Sequence, residues 1–369
     1  MEQVAWYAID NIEDIDSPAL IVYPDRIKKN IAAAIKMVDN PGVLRPHVKT
    51  SKMSAVAILL QEAGVTKFKC ATIAEAEMLA MVGAKDVLLA YQPVGPKILR
   101  LLQLVKAYPS TVFSCLVDNV DNARHLSEVC AAQNNHLDVF IDLNIGMNRT
   151  GILPGQAFQL FGVIRQLPAL NPVGLHAYDG HIHDVDLALR TRHSNEGFAA
   201  VMTLADKIES VAGQAPVIIA GGTPTFPVHA RRQGVECSPG TFVFSDWNYK
   251  QGLPDEPFDY AALLITRVIS IIDEQTVCLD LGHKSVASEN PQPRVFFLNA
   301  PDAIPVSHSE EHIVVKVDNT SSIHIGDVWY AVPAHICPSV ALYEKAWVVE
   351  NGAVTGDWKV TARNRYINF

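Results

Sequence analysis

Short apolar segments alternate with longer amphipathic segments up to about residue 248, and this alternation limits the fold more than any other feature of the chain. The apolar segments are rich in Val, Ile, Leu and Phe, which is typical of strands that are buried on both faces. Helical patterns lie between them, for example at 25–38, 96–107 and 186–211. Alternation of this kind predicts parallel βαβ units. The candidate strands are 19–23, 43–49, 68–72, 87–92, 112–118, 137–144, 173–179, 217–222 and 235–244.

Nine such strands are one more than an eight-stranded (β/α) barrel needs, so we expect one of them to belong elsewhere. After Asn248 the pattern changes, because apolar strands are now separated by turn-rich segments with little helix, which predicts an antiparallel β domain. We place the boundary between Trp247 and Pro257, a segment that also contains Gly252 and Pro254. The later candidate strands are 263–273, 276–280, 294–298, 313–317, 328–332 and 345–350.

Composition and charge limit the kind of partner that this chain can have. Of its 369 residues, 49 % are hydrophobic and 19 % are charged, which is the composition of a globular protein and not of a disordered one. Lys and Arg number 30 against 39 Asp and Glu, the net charge is −9, and no strongly basic segment is present. We therefore expect no nucleic-acid partner and no membrane partner, since both interactions need clustered cations.

The compartment is predicted from the start of the chain and from its cysteines. The first 16 residues have neither the basic segment nor the long apolar segment of a signal peptide. No segment reaches about 18 uninterrupted apolar residues, so no membrane span is expected. The six cysteines lie far apart, which is typical of free thiols in a reducing compartment. These features predict a cytoplasmic protein whose partner is a small molecule.

Lys49 ends an apolar candidate strand, within the segment RPHVKT. In a (β/α) barrel, functional residues lie at the carboxyl ends of the strands. His47 and Lys49 point to the same side, because side chains alternate along a strand. A lysine at the inward end of a strand is costly unless it is paired, solvated or reactive, and a desolvated lysine can form a Schiff base. The position alone also fits a rim lysine in a salt bridge, which is the commoner situation for lysines.

Arg149 and three histidines follow two further candidate strands. Arg149 stands between two glycines, as a tight loop that presents an arginine to a ligand requires. His176, His181 and His183 fall within eight residues at a strand end, and this density suits metal binding or acid–base catalysis. An ordinary loop arginine and a polar loop are the alternatives that these positions leave open.

Two glycine-containing segments follow each other late in the predicted barrel. Gly221, Gly222 and Thr223 end one strand with backbone N–H groups and a hydroxyl, and Gly240 and Thr241 are placed on the next strand. Backbone amides in glycine turns bind phosphate without needing net positive charge. Phosphate sites in such barrels often use the loops after strands seven and eight. The order of these segments therefore predicts a phosphate site.

His335 and Cys337 stand two residues apart in the predicted β domain. On an extended backbone the two side chains share one face, and an imidazole with a thiolate suits Zn²⁺. Two ligands cannot complete a structural site, so this would be an open site in which water or substrate fills the remaining positions. The alternative, which the spacing alone favours, is a buried free cysteine beside a hydrogen-bonded histidine.

Taken together, these residues resemble fold-type III pyridoxal-phosphate enzymes, and they are more similar to the metal-dependent D-threonine aldolase and D-serine dehydratase family. The matching motifs run in family order over nearly the whole chain. They are DSPAL at 16–20, RPHVKT at 45–50, GMNRTG at 146–151, GGTP at 221–224, SPGT at 238–241, EEH at 310–312 and HIC at 335–337.

The resemblance implies an α/β fold, a (β/α)8 TIM-type barrel followed by a C-terminal antiparallel β domain, as in alanine racemase-like proteins. The barrel would comprise 17–247, with its strands beginning at about residue 43. Residues 1–16 and 248–369 would form the β domain that carries the metal pair. The first candidate strand, 19–23, would then pack with the β domain and leave eight strands in the barrel.

The resemblance also implies roles for individual residues. Lys49 would carry pyridoxal 5'-phosphate as a Schiff base, Arg149 would contact the phenolic oxygen of the cofactor, and Tyr178 would lie beside its pyridine ring. His335 and Cys337 would bind a divalent metal, Zn²⁺ or Mn²⁺. Related enzymes are commonly homodimers, so we expect a homodimer. The other implied cofactor-binding residues are His47, His176, Gly221, Gly222, Thr223, Gly240 and Thr241.

Two reactions on a D-amino acid with a β-hydroxyl follow from these parts. The cofactor provides an electron sink for a carbanion at Cα, and the metal binds the β-hydroxyl as a Lewis acid. If Lys49 removes the Cα proton, the hydroxyl leaves and a 2-oxo acid and ammonia are formed. If a base removes the proton of the hydroxyl, the Cα–Cβ bond breaks and glycine and an aldehyde are formed. The candidate bases are His181, His183, Asp184 and a water on the metal.

Departures from the related patterns favour elimination. The second catalytic tyrosine of alanine racemases is missing, because the corresponding segment reads LDLGHKS at 279–285, and Ser238 replaces their arginine near the pyridine nitrogen. Both differences argue against racemisation. The aldolases have a histidine six residues after the ring tyrosine, where this chain has Asp184, and the His-x-Cys pair is the dehydratase-like form of the metal site. We therefore expect D-serine dehydratase-like elimination, with D-threonine aldolase-type cleavage as the alternative.

A binding protein is the rival function from a different class. Single-domain members of this fold bind pyridoxal phosphate without strong catalytic activity and serve cofactor homeostasis. They lack the C-terminal β domain, whereas residues 248–369 of this chain follow the barrel and carry the predicted metal pair. This length favours an enzyme.

Overall fold

The computed structural model describes residues 5–369, and the chain divides into two compact units, which we call the β unit and the barrel unit. The predicted domain limits stay a prediction, and residues 1–4 of the predicted range 1–16 lie outside the described residues. The β unit comprises 5–31, 50–56 and 241–363, and the barrel unit comprises 32–49, 57–240 and 364–369.

Strands and helices alternate through the barrel unit as the sequence predicts. Among the helices of residues 5–369, none combines the length and the apolar character needed to cross a bilayer. The strands are β1 (Ala19–Val22), β2 (Lys67–Cys70), β3 (Asp86–Leu89), β4 (Val112–Val117), β5 (Leu137–Leu143), β6 (Leu170–Ala177), β7 (Val217–Ala220), β8 (Val235–Cys237), β9 (Ala262–Asp273), β10 (Thr276–Leu279), β11 (Val295–Phe297), β12 (Ile304–His308), β13 (Ile313–Lys316), β14 (Val328–Pro333), β15 (Lys345–Glu350) and β16 (Ala353–Lys359). The α-helices are α1 (Pro24–Val38), α2 (Ser54–Glu62), α3 (Ile73–Met81), α4 (Pro96–Ala107), α5 (Val120–Ala132), α6 (Pro154–Ile164), α7 (Leu187–Ala212), α8 (Phe226–His229), α9 (Trp247–Gly252) and α10 (Ile336–Val340).

Strands β2 to β8 form one parallel sheet in which strands adjacent in sequence are also adjacent in space. The segment before β2 joins the two edges of this sheet. Leu44 pairs with Cys237 of β8, and His47 pairs with Lys69 of β2, both in the parallel direction. The segment therefore takes the place of the remaining barrel strand, and the architecture is the expected alanine racemase-like barrel.

The prediction of a regular strand at 43–49 is wrong. Pro41–Val43 form a 3-10 helix, and the pairing that follows consists of two isolated bridges. Pro46 has no N–H group, so it cannot donate a ladder hydrogen bond, although its carbonyl accepts one from the backbone N–H of Lys69 at 2.9 Å. The prediction from apolar residues was correct about the place of this segment and wrong about its regularity.

The prediction that Gly240 and Thr241 lie on a strand is also wrong. Strand β8 ends at Cys237, and Thr241–Val243 form a 3-10 helix. Pro239 interrupts the segment, because it lacks the N–H group that a central strand would have to donate. The two residues therefore lie after the carboxyl end of β8, which is where loop residues of a barrel site are found.

Alternate side chains of the strands fill the interior of the barrel unit. Leu88, Leu116, Phe140 and Ile219 form a buried cluster contributed by four strands. Gly174 on β6 leaves room for the phenyl ring, because a Cβ atom at this position would lie 2.7 Å from Cε1 of Phe140. Burial of a side chain of this size contributes about 3 kcal/mol. The interior of the barrel unit is therefore a packed core, and a ligand can bind only at the ends of the strands.

A buried ionic cluster also lies inside the barrel unit. Arg45 is 2 % exposed; its two terminal nitrogens donate to both carboxylate oxygens of Asp86 at 2.6 and 2.9 Å. Its Nε donates to Glu236 at 2.7 Å, and Lys67 binds the other oxygen of Glu236. Bidentate hydrogen bonds between an arginine and a carboxylate offset the cost of removing the charges from water. The cluster contains Asp86, the first residue of β3, so it lies toward the amino ends of the strands.

The β unit is built on a largely antiparallel sheet, in the order β12-β13-β10-β9-β1-β15-β16, with β14 and β11 attached beside β9. Strand β1 pairs with β9 antiparallel and with β15 parallel. The expectation that one of the nine early candidate strands belongs elsewhere is therefore confirmed. The buried core on this sheet consists of Ile9, Ile15, Ala19, Ile21, Tyr23, Leu263, Ile265, Tyr330, Val332 and Val349.

Two strands of this sheet are absent from the sequence-based prediction. Both β12 and β16 are edge strands with most residues exposed or half-buried. An edge strand with little buried surface need not alternate apolar and polar residues, so its sequence carries a weak signal.

Candidate active site

The predicted barrel residues gather at the carboxyl ends of the parallel strands. His176 is the penultimate residue of β6 and Tyr178 follows that strand. Arg149 follows β5, and Gly221 follows β7. Lys49 follows the irregular barrel segment, two residues after the bridge at His47. Because all these strands are parallel, their carboxyl ends lie at the same end of the barrel unit.

The ring of Tyr178 is the centre of a group of cations. The Nζ atom of Lys49 lies 6.0 Å from the ring centroid, and Cζ of Arg149 lies 5.1 Å from it. A third cation, Nζ of Lys69, lies 5.5 Å from the same centroid. These distances are within the range of cation–π attraction. The structure thus brings together three residues that the sequence analysis singled out or implied, and adds one that it missed.

His176 is held by a buried carboxylate. Its Nδ1 lies 2.7 Å from Oδ1 of Asp142, and the hydroxyl of Thr150 donates to the other carboxylate oxygen at 2.8 Å. Burial lowers the pKa of His176. Burial would raise the pKa of Asp142, but the hydrogen bonds from His176 and Thr150 outweigh it, and the pKa is lowered. The network therefore assigns a neutral imidazole that donates from Nδ1 to an ionised carboxylate.

Lys69 is the residue that sequence reasoning missed. It lies on β2, is 2 % exposed, and donates to the hydroxyl of Ser238. Burial, together with the nearby charge of Lys49, lowers the pKa of Lys69 to about 7. The signal was present in the sequence, because a lysine in the middle of a predicted buried strand is rare unless it has a role.

The glycine turn after β7 approaches the same tyrosine ring. Gly221 has φ +74°, a left-handed conformation that favours glycine, and a Cβ atom at Gly222 would lie 3.0 Å from Cε2 of Tyr178. The hydroxyl of Thr223 accepts a hydrogen bond from the backbone N–H of Gly240 at 3.2 Å. The two predicted phosphate-binding segments are therefore joined directly.

A buried histidine–carboxylate pair supports the residues beside this turn. Nε2 of His229 lies 2.8 Å from Oδ2 of Asp179, and the hydroxyl of Thr225 donates to Oδ1 at 2.7 Å. Asp179 directly follows Tyr178, and the His229 side chain lies where a Cβ atom of Gly221 would be. These contacts fix the tyrosine and the glycine turn relative to each other.

His181 and His183 lie on the loop between β6 and α7 and line a surface cleft there. His181 packs against Gly146, since a Cβ atom at that glycine would lie 2.5 Å from Nε2 of His181. Asp184 is paired with His193 of α7, with 2.8 Å between Oδ2 and Nδ1, and this hydrogen bond lowers the pKa of Asp184. The catalytic role of the two histidines stays a prediction.

His335 and Cys337 lie in the β unit and contact each other, but not on an extended backbone. His335 has extended dihedral angles, whereas Cys337 lies in the short helix α10. The argument from strand alternation is therefore wrong. A helix begins here because the carboxylate of Asp246 accepts a hydrogen bond from the backbone N–H of Ile336 at 3.1 Å. Burial raises the pKa of this carboxyl to about 6.

The side chains of His335 and Cys337 are hydrogen-bonded to each other in the β unit. Burial would lower the pKa of His335, but Cys337 and Glu289 together raise it to about 9. Burial would raise the pKa of Cys337, but the hydrogen bond from His335 lowers it. The thiolate, which this pairing favours, is the form of cysteine that binds metals.

The side chains around this pair extend the site beyond the predicted residues. Oε1 of Glu289 lies 2.5 Å from Nδ1 of His335. The hydroxyls of Thr50 and Thr241 lie 3.1 and 3.5 Å from Sγ of Cys337. Sequence reasoning missed Glu289 because the residue lies 46 positions away from its partner, in a segment that looks like an ordinary turn. Within residues 5–369 the structure contains no cluster of three or more His, Cys, Asp or Glu side chains that could hold a metal ion.

Comparison with protein-family models identifies the chain. Residues 22–246 match the model of the alanine racemase N-terminal domain, and residues 261–349 match that of a D-serine dehydratase-like domain. The chain belongs to the alanine racemase N-terminal domain family. The first match covers the elements from α1 to β8, and the second covers those from β9 to α10 and most of β15. Together they include both the barrel residues and the His335–Cys337 pair.

Similar proteins of known activity match this family member over most of its length. It is 27 % identical to a D-threonine aldolase of an Arthrobacter species, over 96 % of this chain and 94 % of that protein. It is 30 % identical to D-threo-3-hydroxyaspartate dehydratase of Delftia sp. strain HT23, over 64 % of this chain and 63 % of that one. The crystal structure of D-threonine aldolase from Filomicrobium marinum superposes with a TM-score of 0.88 at 26 % identity, and covers 97 % of this chain and 98 % of that one. This family member is an enzyme of the pyridoxal-phosphate-dependent lyase class.

Proposed function

We propose that the enzyme removes the β-hydroxyl group of a D-β-hydroxy amino acid, as a D-serine dehydratase does, and releases a 2-oxo acid and ammonia. Pyridoxal phosphate would be held by the barrel residues around Tyr178, and a divalent metal by His335 and Cys337. Cleavage of the Cα–Cβ bond, as in a D-threonine aldolase, is the second candidate.

The barrel residues fit the cofactor in three respects. Lys49 offers a primary amine for a Schiff base, and its nitrogen lies 6.0 Å from the ring centroid of Tyr178, an aromatic neighbour for a pyridine ring. Arg149 and Lys69 add positive charge around the same ring, which suits an anionic ligand. The glycines after β7 let the backbone approach Tyr178, since a Cβ atom at Gly222 would lie 3.0 Å from Cε2 of the ring, and glycine turns of this kind bind phosphate groups.

The His335–Cys337 pair fits a borderline-soft divalent metal. Imidazole nitrogen and thiolate sulfur are donors that Zn²⁺ prefers, and Mn²⁺ is the other candidate. The threonines that contact Cys337 connect this pair to the barrel residues through the chain, because Thr50 follows Lys49 directly and Thr241 follows Gly240 directly.

Each group of residues has its own role in the proposed reaction. When bound, the cofactor supplies an electron sink for negative charge at Cα, and the metal supplies a Lewis acid for the β-hydroxyl. Lys49 would hold the cofactor through its amine, and the same amine would take the proton from Cα. The Asp142–His176 network holds a neutral imidazole at the end of β6, and Arg149 contributes positive charge at the ring of Tyr178.

The pairing of Asp184 with His193 is the observation that favours elimination over cleavage. Cleavage needs a base that takes the proton of the β-hydroxyl. Asp184 occupies the position at which the aldolases carry a histidine, and the hydrogen bond from His193 lowers its pKa. A carboxylate with a lowered pKa is a weak base, so it is poorly suited to this step. The D-threonine aldolase match over 96 % of the chain favours the second candidate, in which His183 or His181 would be the base.

Product analysis tests the proposed reaction. Purified protein is incubated with pyridoxal phosphate and either D-serine or D-threonine, with and without a chelator, and with L-serine as the control. We expect ammonia and a 2-oxo acid from the D-enantiomers, loss of turnover on chelation, and no product from L-serine. Glycine with an aldehyde would establish the aldolase instead. Binding of the cofactor without turnover of either substrate would favour the homeostasis protein.

Glu289 provides a test of the metal site that does not depend on turnover. The hydrogen bond between its carboxylate and Nδ1 of His335 fixes the ring and leaves Nε2 for the metal. Removing such a partner weakens metal binding by about 10- to 100-fold. We therefore expect Glu289→Gln to lower Zn²⁺ affinity by this factor in competition with a chromogenic chelator. Glu344→Gln, whose side chain is 92 % exposed, serves as the matched control, and equal affinities in both variants would contradict the assignment.

We also propose that the enzyme is a cytoplasmic homodimer. All six cysteines are free, as a reducing compartment allows. Sedimentation velocity should give the mass of a dimer, and a monomer at assay concentration would contradict the assembly.

A further inference from the structure

Lys69 is a buried lysine for which the proposed reaction has no use. It is 2 % exposed on β2, with its backbone paired to His47. Placing an ammonium group inside a barrel is costly, because the charge loses its hydration. A methionine of similar length would fill the same space without that cost. The size of the side chain alone therefore does not explain a lysine at this position.

The partners of Lys69 fit the charged form of the lysine. Its Nζ donates to the hydroxyl of Ser238 and lies 3.4 Å from Nε2 of His176. Because Nδ1 of His176 carries its hydrogen toward Asp142, Nε2 is an acceptor, and the lysine must donate to it. Both contacts are therefore satisfied by an ammonium group, which keeps a further N–H for a ligand or a water molecule.

The charges around Lys69 are unbalanced. Lys49, Lys69 and Arg149 lie within 6.0 Å of the ring centroid of Tyr178. The two carboxylates that act on Lys69, Asp142 and Asp179, are each hydrogen-bonded to a histidine and stay ionised, so these three cations face only two anions. The titratable and charged groups that act on Lys69 are Lys49, Arg45, Asp142, Asp179 and His176.

We propose that Lys69 supplies a buried positive charge with which the barrel site binds the anionic part of its ligand, in addition to the residues assigned to the cofactor above. The inference rests on the proposed function in one respect, namely that the natural anion is the cofactor. The inference goes beyond the proposed function because it assigns a role to Lys69. The lysine acts through its charge and also orients Ser238 and His176. It is a ligand-binding residue, and not the lysine that forms the Schiff base.

A pH dependence follows from the position of Lys69. Burial lowers its pKa to about 7, so the lysine loses its proton near neutrality when no ligand is bound. An anion favours the charged form, and its affinity must therefore fall as the pH rises through this range. The phosphate of the probe titrates as well, but its contribution is the same in every variant.

The experiment compares variants that separate charge from hydrogen bonding. Lys69→Met removes both, Lys69→Gln removes the charge and keeps polar contacts to Ser238 and His176, and Lys69→Arg keeps the charge. Lys67→Met removes another lysine of β2, which binds Glu236 in the ionic cluster, and serves as the matched control. Affinities for pyridoxal phosphate, by visible absorbance, and for inorganic phosphate, by calorimetry, are measured from about pH 6 to about pH 8.

We expect Lys69→Met and Lys69→Gln to bind both probes about tenfold or more weakly at the lower pH. Both variants should lose the part of the pH dependence that Lys69 contributes and keep the part that comes from the phosphate of the probe. Lys69→Arg and Lys67→Met should retain wild-type affinity. Wild-type affinity in Lys69→Gln would show that the lysine only provides hydrogen bonds, and would overturn the proposal even if Lys69→Met does not fold. If the wild type binds no pyridoxal phosphate but binds inorganic phosphate in a way that depends on Lys69, the proposed function is rejected. The inference about Lys69 then still holds.

Discussion

Replacing Lys49 by alanine is expected to abolish the visible absorbance of the lysine-linked cofactor and to lower turnover by about 10⁴-fold or more. The amine is proposed to act twice, first as the attachment point of the cofactor and then as the base at Cα. Alanine removes both functions while it leaves the neighbouring residues Arg149 and Tyr178 in place. Absorbance spectroscopy of the purified variant and steady-state assays with D-serine check the two effects separately.

Lys29→Ala is the matched control for this variant. Lys29 is exposed on helix α1, so its replacement should leave both the absorbance and the turnover unchanged. Retention of the visible band in Lys49→Ala would show that another amine carries the cofactor, and Lys69 would then be the first to examine, because its nitrogen lies 5.5 Å from the same tyrosine ring.

Replacing Cys337 by alanine is expected to leave the cofactor bound and to lower metal-dependent turnover by about 10²-fold or more, since a Lewis acid contributes several kcal/mol to such a reaction. The thiol belongs to the β unit, and its replacement leaves Lys49 and the glycine turn untouched. The visible absorbance should therefore stay as in the wild type. Turnover assayed over a range of Zn²⁺ and Mn²⁺ concentrations measures the loss.

Cys278→Ala separates a metal role from a packing role. Cys278 is a buried free thiol on β10, in the same unit as Cys337, and has no proposed ligand. If both variants lose activity equally, the effect of Cys337 is structural. Full activity of Cys337→Ala in the presence of a chelator would refute the metal site.

The alternation of apolar and amphipathic segments was enough to predict the fold class, because strands buried on both faces must be apolar over their whole length. It was not enough for the segment 43–49. Apolar composition identified this segment as part of the barrel, but Pro46 limits it to isolated bridges. The edge strands β12 and β16 were not predicted, because they bury little surface and so lack an apolar pattern.

The candidate site was also predicted only in part from the sequence. Lys49, Arg149 and the glycine turn were named from the sequence because strand ends and glycines mark them, and Tyr178 was named from the family resemblance. The structure brings the first three together around the ring of Tyr178. The functional assignment of these residues stays a proposal. The His335–Cys337 pair was named on the argument of an extended backbone, whereas the structure has them in contact at the start of a helix capped by Asp246.

What the sequence determined by itself is local and periodic: the alternation of elements, the change to antiparallel strands after Asn248, and the motifs at the ends of strands. What only the tertiary structure decided depends on residues that are distant in the chain. Lys69 became a candidate because Ser238 and His176 surround it, and Glu289 because it lies 2.5 Å from His335. The energy of a buried charge depends on all the groups within a few ångströms of it, and no pattern along the chain specifies which groups those are.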